Sequence, residues 1–211
     1  MLRSIPLIAC LILAPAASPA AWVRPVAVPH SSGHAFPLGR VAGNPPDPQY
    51  DAPKAIDGDL ATFCCLLDDT CDGSDEKTIP RRGKAPVTGF MVFDLGRPMV
   101  VRGVRLTGRK DAGGMNPKQA DFFFYADDDP ANNPLPANLD RDRDVQPLVR
   151  GHTFRPLGAG ATEELSWDAA AARYVGLRVS ESYECGGGGV HFNFQIAEIE
   201  FAAEPLPPGI A

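Results

Sequence analysis

The 211-residue chain carries 20 Lys+Arg against 26 Asp+Glu, a formal net charge of −6, so it lacks the basic surplus that nucleic acid or an anionic membrane surface demands. With 21 Gly and 22 Pro and no long apolar pattern at 3.6-residue spacing, it reads as short strands joined by many turns rather than as a helical protein. Once an N-terminal export segment is set aside, about 190 residues remain, enough for one domain with its own core.

Arg3 opens that segment, the apolar run Ile5–Ala17 follows, and Ser18-Pro19-Ala20 offers the small residues a signal peptidase reads. Cleavage is expected after Ala20, with the product secreted or periplasmic. The run is too short to anchor in a bilayer, and Leu7-Ile8-Ala9-Cys10 sits too early for a lipid attachment site. Residues 21–43 form an extended Pro/Gly/Ala-rich leader able to add a strand. The domain proper is expected over 44–201, with 202–211 as a C-terminal tail.

Along the domain, strands are predicted at Gly89–Leu95 and Met99–Leu106, separated by a turn at Gly96-Arg97-Pro98. The aromatic run Phe122-Phe123-Phe124-Tyr125 predicts a buried strand over Asp121–Ala126. Leu148–Phe154, Glu163–Trp167, Tyr174–Val179 and His191–Phe201 complete the set. Only Asp168–Arg173, with its alanines and a capping Asp168, reads as a helix. The pattern is all-β, a sandwich or jelly roll. Asp127–Asp144 reads as a solvated polar loop. Its Asp140–Asp144 stretch opens like a calcium-binding EF-hand loop, but Val145 and Gly151 stand where a glycine and a glutamate are required. Lys77–Pro86 is a second loop.

Cys10 leaves with the export segment, and Cys64, Cys65, Cys71 and Cys185 remain, an even number that suggests two disulfides in an exported chain. A Cys64–Cys65 bond would close a strained eight-membered ring. The expected pattern therefore joins Cys185 to one of that pair and Cys71 to the other. A four-sulfur zinc site lacks its usual Cys-x-x-Cys spacing.

Three separated segments resemble the discoidin, or coagulation-factor type C, family and its galactose-binding-like carbohydrate modules. They are Ala55-Ile56-Asp57-Gly58-Asp59-Leu60-Ala61-Thr62-Phe63; then Phe93–Pro98 with Val101–Leu106; then Ala172–Val179 with Gln195–Phe201. The resemblance implies a jelly-roll β-sandwich of about eight antiparallel strands and no chemistry of its own. It also implies one structural calcium, held by the Asp57 side chain, Thr62 and the Glu198 carboxylate, with Lys54, Asp59 and Ala197 as carbonyl donors. Calcium favours such hard oxygens in a flexible turn. The chain departs from the pattern where Phe63-Cys64 replaces the family's Trp, and where Cys64–Pro86 forms an insert. Within that insert, Asp68–Glu76 resembles the acidic calcium loop of a low-density-lipoprotein-receptor class A repeat, without the repeat's six cysteines.

No His-Glu-x-x-His, Gly-x-Ser-x-Gly or helix-initiating glycine motif marks an enzyme. The family habit puts a ligand on loops at one end of the sandwich, here 109–118, 77–86 and 184–193. The candidates are Arg109, Lys110, Asn116, His191 and Asn193 for sugar hydroxyls and Phe192 for stacking. The expected partner is a carbohydrate or glycoconjugate. The alternative is a structural or adhesion module that binds a protein surface.

Overall fold

The structure, a computed structural model, describes residues 20–32, 47–67, 89–111, 113–126, 147–183, 190–191 and 193–207. Ten strands run through them: β1 (Ala21–Val23), β2 (Ala27–Ser31), β3 (Cys64–Leu67), β4 (Gly89–Thr107), β5 (Pro117–Tyr125), β6 (Val149–Thr153), β7 (Thr162–Tyr183), β8 (Val190–His191), β9 (Asn193–Ile196) and β10 (Glu198–Pro205). Eight form one antiparallel sheet in the order β1-β10-β4-β7-β5-β6, with β2 on β4 and β8 on β7; β3 and β9 make a second, two-stranded sheet. Two short 3-10 turns, Pro48–Tyr50 and Ala52–Ala55, precede β3.

The two strands predicted on either side of Gly96 are one long strand. Pairing with β7 lapses between Asp94 and Met99, Gly96 sits at φ +79°, and its N–H donates to the Asp94 carboxylate at 2.7 Å. The left-handed glycine lets the strand change direction without ending.

β7 also overrides the predicted helix at Asp168–Arg173. Ala170, Ala171 and Ala172 pair with Val101, Val100 and Met99, and Ala170 and Ala172 are buried while Ala171 is exposed, the period-two alternation of a strand. Alanine's helix propensity is worth only tenths of a kcal/mol per residue, and six residues are too few to hold a helix alone. The ladder to β4 outweighs it. Gly103 permits the close approach, since a Cβ there would lie 2.5 Å from the Leu165 carbonyl oxygen.

The described parts of the leader and tail add strands to the sheet. β1 pairs Trp22 with Ala202 and Val23 with Phe201, and β2 pairs His30 with Val92. β10 continues to Pro205, opposite Met99. The reason is edge satisfaction: β10 exposes unpaired backbone groups on its outer side until β1 covers them.

The core lies between the sheets. Phe93, Phe122, Phe154, Phe194, Phe201, Leu66, Met91 and Leu106 are all fully buried there, and Phe93 meets Phe201 at 5.5 Å. Burial of each large side chain contributes about 1.5–3 kcal/mol. The opposite face of β4, β5 and β7 carries a second buried cluster, Phe90, Val92, Phe123, Tyr125 and Tyr174. Covered on both faces, β5 needs no polar alternation, which explains its consecutive aromatics.

Cys64 and Cys65, adjacent on β3, point opposite ways. Cys64 joins the core as a free, fully buried thiol whose pKa burial pushes up to about 12. The expectation that Cys64 enters a disulfide is not met, because strand alternation aims it at the core beside Leu66. Cys65 lies on the other side, where the Gln195 amide donates to its sulfur at 3.3 Å. Cys71 and Cys185 lie outside the described residues, as do Asp68–Glu76, Lys77–Pro86 and Asp127–Asp144.

Candidate functional site

The described residues of the β4–β5 loop, 108–111 and 113–116, are tied to the segment 154–161 by the Asn116 side chain and by backbone bonds. Asn116 is fully buried. Its Nδ2 donates to the carbonyls of Pro117 (2.8 Å) and Arg155 (3.2 Å), and its Oδ1 accepts from the Leu157 N–H (3.0 Å). Backbone bonds Gly114 N to Leu157 O (2.9 Å) and Gly160 N to Arg109 O (2.6 Å) complete the lock. Asn116 was expected to grip a sugar. It is instead a strut: its amide bonds inward, to the backbone groups of Pro117, Arg155 and Leu157. Beside it Met115 holds φ +63°, a costly conformation for a residue with a side chain, while its carbonyl accepts from the Gln195 N–H at 2.7 Å.

The lock positions Arg109. Its guanidinium stacks over the Phe63 ring, 4.0 Å from the centroid, and donates through Nη1 to Gln195 Oε1 at 2.7 Å. Nε and Nη2 make a two-pronged pair with Asp111, at 2.9 and 2.6 Å. Phe63 in turn rests against Tyr50, with centroids 5.3 Å apart. The Arg109 side chain is only 16% exposed while that of Asp111 is 67% exposed. The hydrogen bond from Arg109 holds the Asp111 carboxyl below its ordinary range despite some burial. The result is a guanidinium fixed on an aromatic base, presenting an ionised carboxylate to solvent. Such a surface presents a fixed, charge-assisted acceptor to solvent beside a partly buried aromatic ring.

Of the sequence-predicted ligand residues, the structure therefore places Arg109 at this surface and Lys110 exposed beside it. His191 lies on β8 opposite Ser182, and Asn193 lies on β9 opposite Leu67, two residues before Gln195. Phe192 lies outside the described residues. Tyr50, Phe63, Asp111 and Gln195 were not predicted as site residues. Phe63 directly follows Thr62 in the first discoidin-like segment, within the Phe63-Cys64 pair that departs from the family's pattern.

The residues expected to hold calcium also converge. Asp57 Oδ1 accepts from the Asp59 N–H at 2.9 Å, and the Thr62 hydroxyl lies 3.0 and 2.9 Å from the two Asp57 oxygens and 2.9 Å from the Asp59 carbonyl. Lys54 contributes its ammonium, 3.2 Å from Asp57 Oδ2. Burial works to raise Asp57, but the Asp59 N–H, Thr62 and Lys54 outweigh it and hold the carboxyl low. Glu198 is buried at the start of β10. Its Oε2 accepts from the Gly58 N–H at 2.9 Å and its Oε1 from Arg24 Nε at 2.7 Å. Ala197 bonds through its N–H to the Thr107 carbonyl at 3.0 Å.

Burial pushes the Glu198 carboxyl up, and Arg24 only partly offsets it, whereas Arg24 is itself raised by the same pair. The two directions agree once burial is assigned to the partner that bears it: the Glu198 side chain is 4% exposed and that of Arg24 47%. The oxygens are of the kind calcium takes, yet each carboxylate already faces a cation and each of their oxygens has a donor. Among the described residues no three acidic, His or Cys side chains group closely enough to hold a metal ion. As arranged, the set does not fit a divalent cation.

No family model and no curated protein matches the chain. Solved structures do. The C-terminal domain of a chitobiase from Bacteroides fragilis aligns with a TM-score of 0.56 at 16% identity, covering 88% of this chain and 99% of that one. The fold is the discoidin-type, galactose-binding-like sandwich. CBM32-3 from a family 31 glycoside hydrolase of Clostridium perfringens shares it at 12% identity, with a TM-score of 0.50 over 84% of this chain and 90% of that one. The family 32 CBM of C. perfringens NanJ, solved with galactose, aligns at 16% identity and a TM-score of 0.48, over 75% of this chain and 88% of that one. The neighbours of this discoidin-type sandwich include carbohydrate-binding modules. Among the described residues of the chain no helix is long and apolar enough to cross a membrane.

Proposed function

We propose that the chain is an exported, non-catalytic carbohydrate-binding module that takes its ligand at the Arg109 end of the sandwich. The observation that carries this reading is the Arg109 guanidinium, stacked 4.0 Å over Phe63 and paired through two nitrogens with the exposed Asp111. A rigid aromatic base next to fixed polar groups is how a solvent-facing site orients a ligand rich in hydroxyls. The shared fold supports the reading, because CBM32-3 is by its name a carbohydrate-binding module. The N-terminal Arg3, apolar run and Ser18-Pro19-Ala20 support export.

A glycan array probed with the protein lacking residues 1–20 tests the proposal. Wild type is expected to retain a defined set of glycans. Arg109→Ala and Asp111→Ala are expected to lose them, and Arg102→Ala, whose partner is Glu204 on β10, is expected to keep them. Absence of any retained glycan would favour a protein partner, and retention by Arg109→Ala would move the site elsewhere.

A further inference from the structure

The junction between the first loop and the last strand is built around an arginine. Arg24 directly follows β1. Its Nε donates to Glu198 at 2.7 Å, and its guanidinium covers Gly58 so closely that a Cβ there would lie 2.9 Å from Cζ. Gly58, at φ +78°, sends its own N–H to the second Glu198 oxygen at 2.9 Å. Three segments far apart in sequence thus meet at one carboxylate: the N-terminal strand, the Asp57–Thr62 turn and the start of β10.

We propose that Arg24 occupies the place of the expected metal, so that this sandwich is braced by a protein-borne cation and is independent of calcium. Three observations converge. Charge is already balanced, since the two carboxylates Asp57 and Glu198 face two cations, Lys54 and Arg24. A divalent ion would have to compete with both cations for the same carboxylate oxygens. Access is also blocked, because the Glu198 side chain is 4% exposed beneath an Arg24 that is 47% exposed, so an ion arriving from solvent meets the guanidinium first. Finally, the link is structurally equivalent to a metal bridge. It closes 140 residues between Gly58 and Glu198 and 174 between Arg24 and Glu198, the kind of long closure in which a bridging group constrains the chain most. A planar guanidinium with several fixed donors suits a buried carboxylate better than an ammonium would.

The test is the thermal midpoint of the protein lacking residues 1–20, in millimolar calcium chloride and in chelator, alongside calorimetric titration with calcium alone. For wild type the two midpoints are expected to agree, with no calcium heat. Arg24→Gln exposes the carboxylate and should lower the midpoint in chelator by roughly 5 °C. Calcium should then restore part of that loss, because the vacated carboxylates are free to bind it. Arg24→Lys, which keeps the charge, should stay insensitive to calcium. A calcium-dependent midpoint or stoichiometric calcium binding in wild type overturns the proposal, and these wild-type arms decide even if Arg24→Gln does not fold. An Arg24→Gln protein that is destabilised but indifferent to calcium also overturns it, because Arg24 would then be a brace without holding a metal's place.

Discussion

Two arginine–carboxylate pairs in this sandwich have the same chemistry and different settings. At the loop end Arg109 is largely buried and its partner Asp111 exposed; at the first-loop junction Arg24 is half-exposed and its partner Glu198 buried. In the first pair the charge facing solvent is a carboxylate, kept ionised by its arginine. In the second it is a guanidinium, covering a carboxylate whose pKa burial raises and the guanidinium partly lowers again. The difference teaches which pair can be opened. A ligand hydroxyl can approach Asp111 while Arg109 stays fixed by Phe63 and Gln195, at the modest cost of loosening an exposed pair. Opening the Arg24 pair strands a buried charge, which is expensive. The open pair suits recognition and the closed pair suits bracing.

The largest expected effect tests the frame behind the open pair. Asn116→Ala removes three hydrogen bonds, two of them buried, and strands the Leu157 N–H, so it should cost about 2–4 kcal/mol in chemical denaturation. The variant that remains folded should still bind glycan weakly. A variant of full stability that fails to bind would make Asn116 a ligand contact after all and erase the distinction between strut and surface.

Next in size is Arg109→Ala, expected to weaken glycan binding by tenfold or more, about 1.4 kcal/mol. Arg109→Lys should not rescue it, because an ammonium neither stacks on Phe63 nor spans Asp111 with two nitrogens. In a double-mutant cycle read by unfolding, Arg109 and Asp111 should couple by less than about 1 kcal/mol. Strong coupling there would mean that the exposed pair is a brace like the other.

A smaller, pH-dependent effect comes from His152, at a third kind of site where an imidazole faces Glu163, itself paired with Arg155. Its Nε2 is buried without a hydrogen bond, 3.9 Å from Glu163, and its ring packs edge-on to Phe154 at 4.6 Å. Burial lowers its pKa from the ordinary 6.5, with Glu163 opposing. The folded value lies below the unfolded one, so the contribution to stability is complete above pH 6.5 and is lost as pH falls through the lowered folded value. Wild type should lose stability on acidification from pH 6.5 downward, and His152→Phe should lose less over the same range. Identical pH profiles would show that His152 does not titrate between the two states.

The smallest effect is a matter of access. Cys64, buried with its pKa near 12, should resist thiol reagents in the native protein and react once it is unfolded. Rapid native labelling of Cys64 would contradict its place in the core.

Much of the architecture was readable in the residues, because a strand's side chains alternate and turns need particular backbones. Val101–Leu106, the aromatic run of β5 and the turn at Gly96 all carried their own signals. The alanines of Asp168–Arg173 misled, since local propensity pointed to a helix and only pairing with Met99–Val101 made the segment a strand. Arg109 was recognisable as a polar group on a loop. Asn116 looked equivalent, because nothing in a one-dimensional chain says whether a polar residue faces water or three backbone groups.

By itself, then, the sequence determined an all-β chain with a glycine turn at Asp57-Gly58 and an acidic composition, since periodicity and turn chemistry act over a few residues. Tertiary structure decided the rest. Only folding sets Arg24 against Glu198 across 174 residues and lays Arg109 over Phe63. It also turns Cys64 inward while its neighbour faces the other way. These outcomes depend on which face of a strand is buried and on which distant segments meet, and spacing along the chain carries neither.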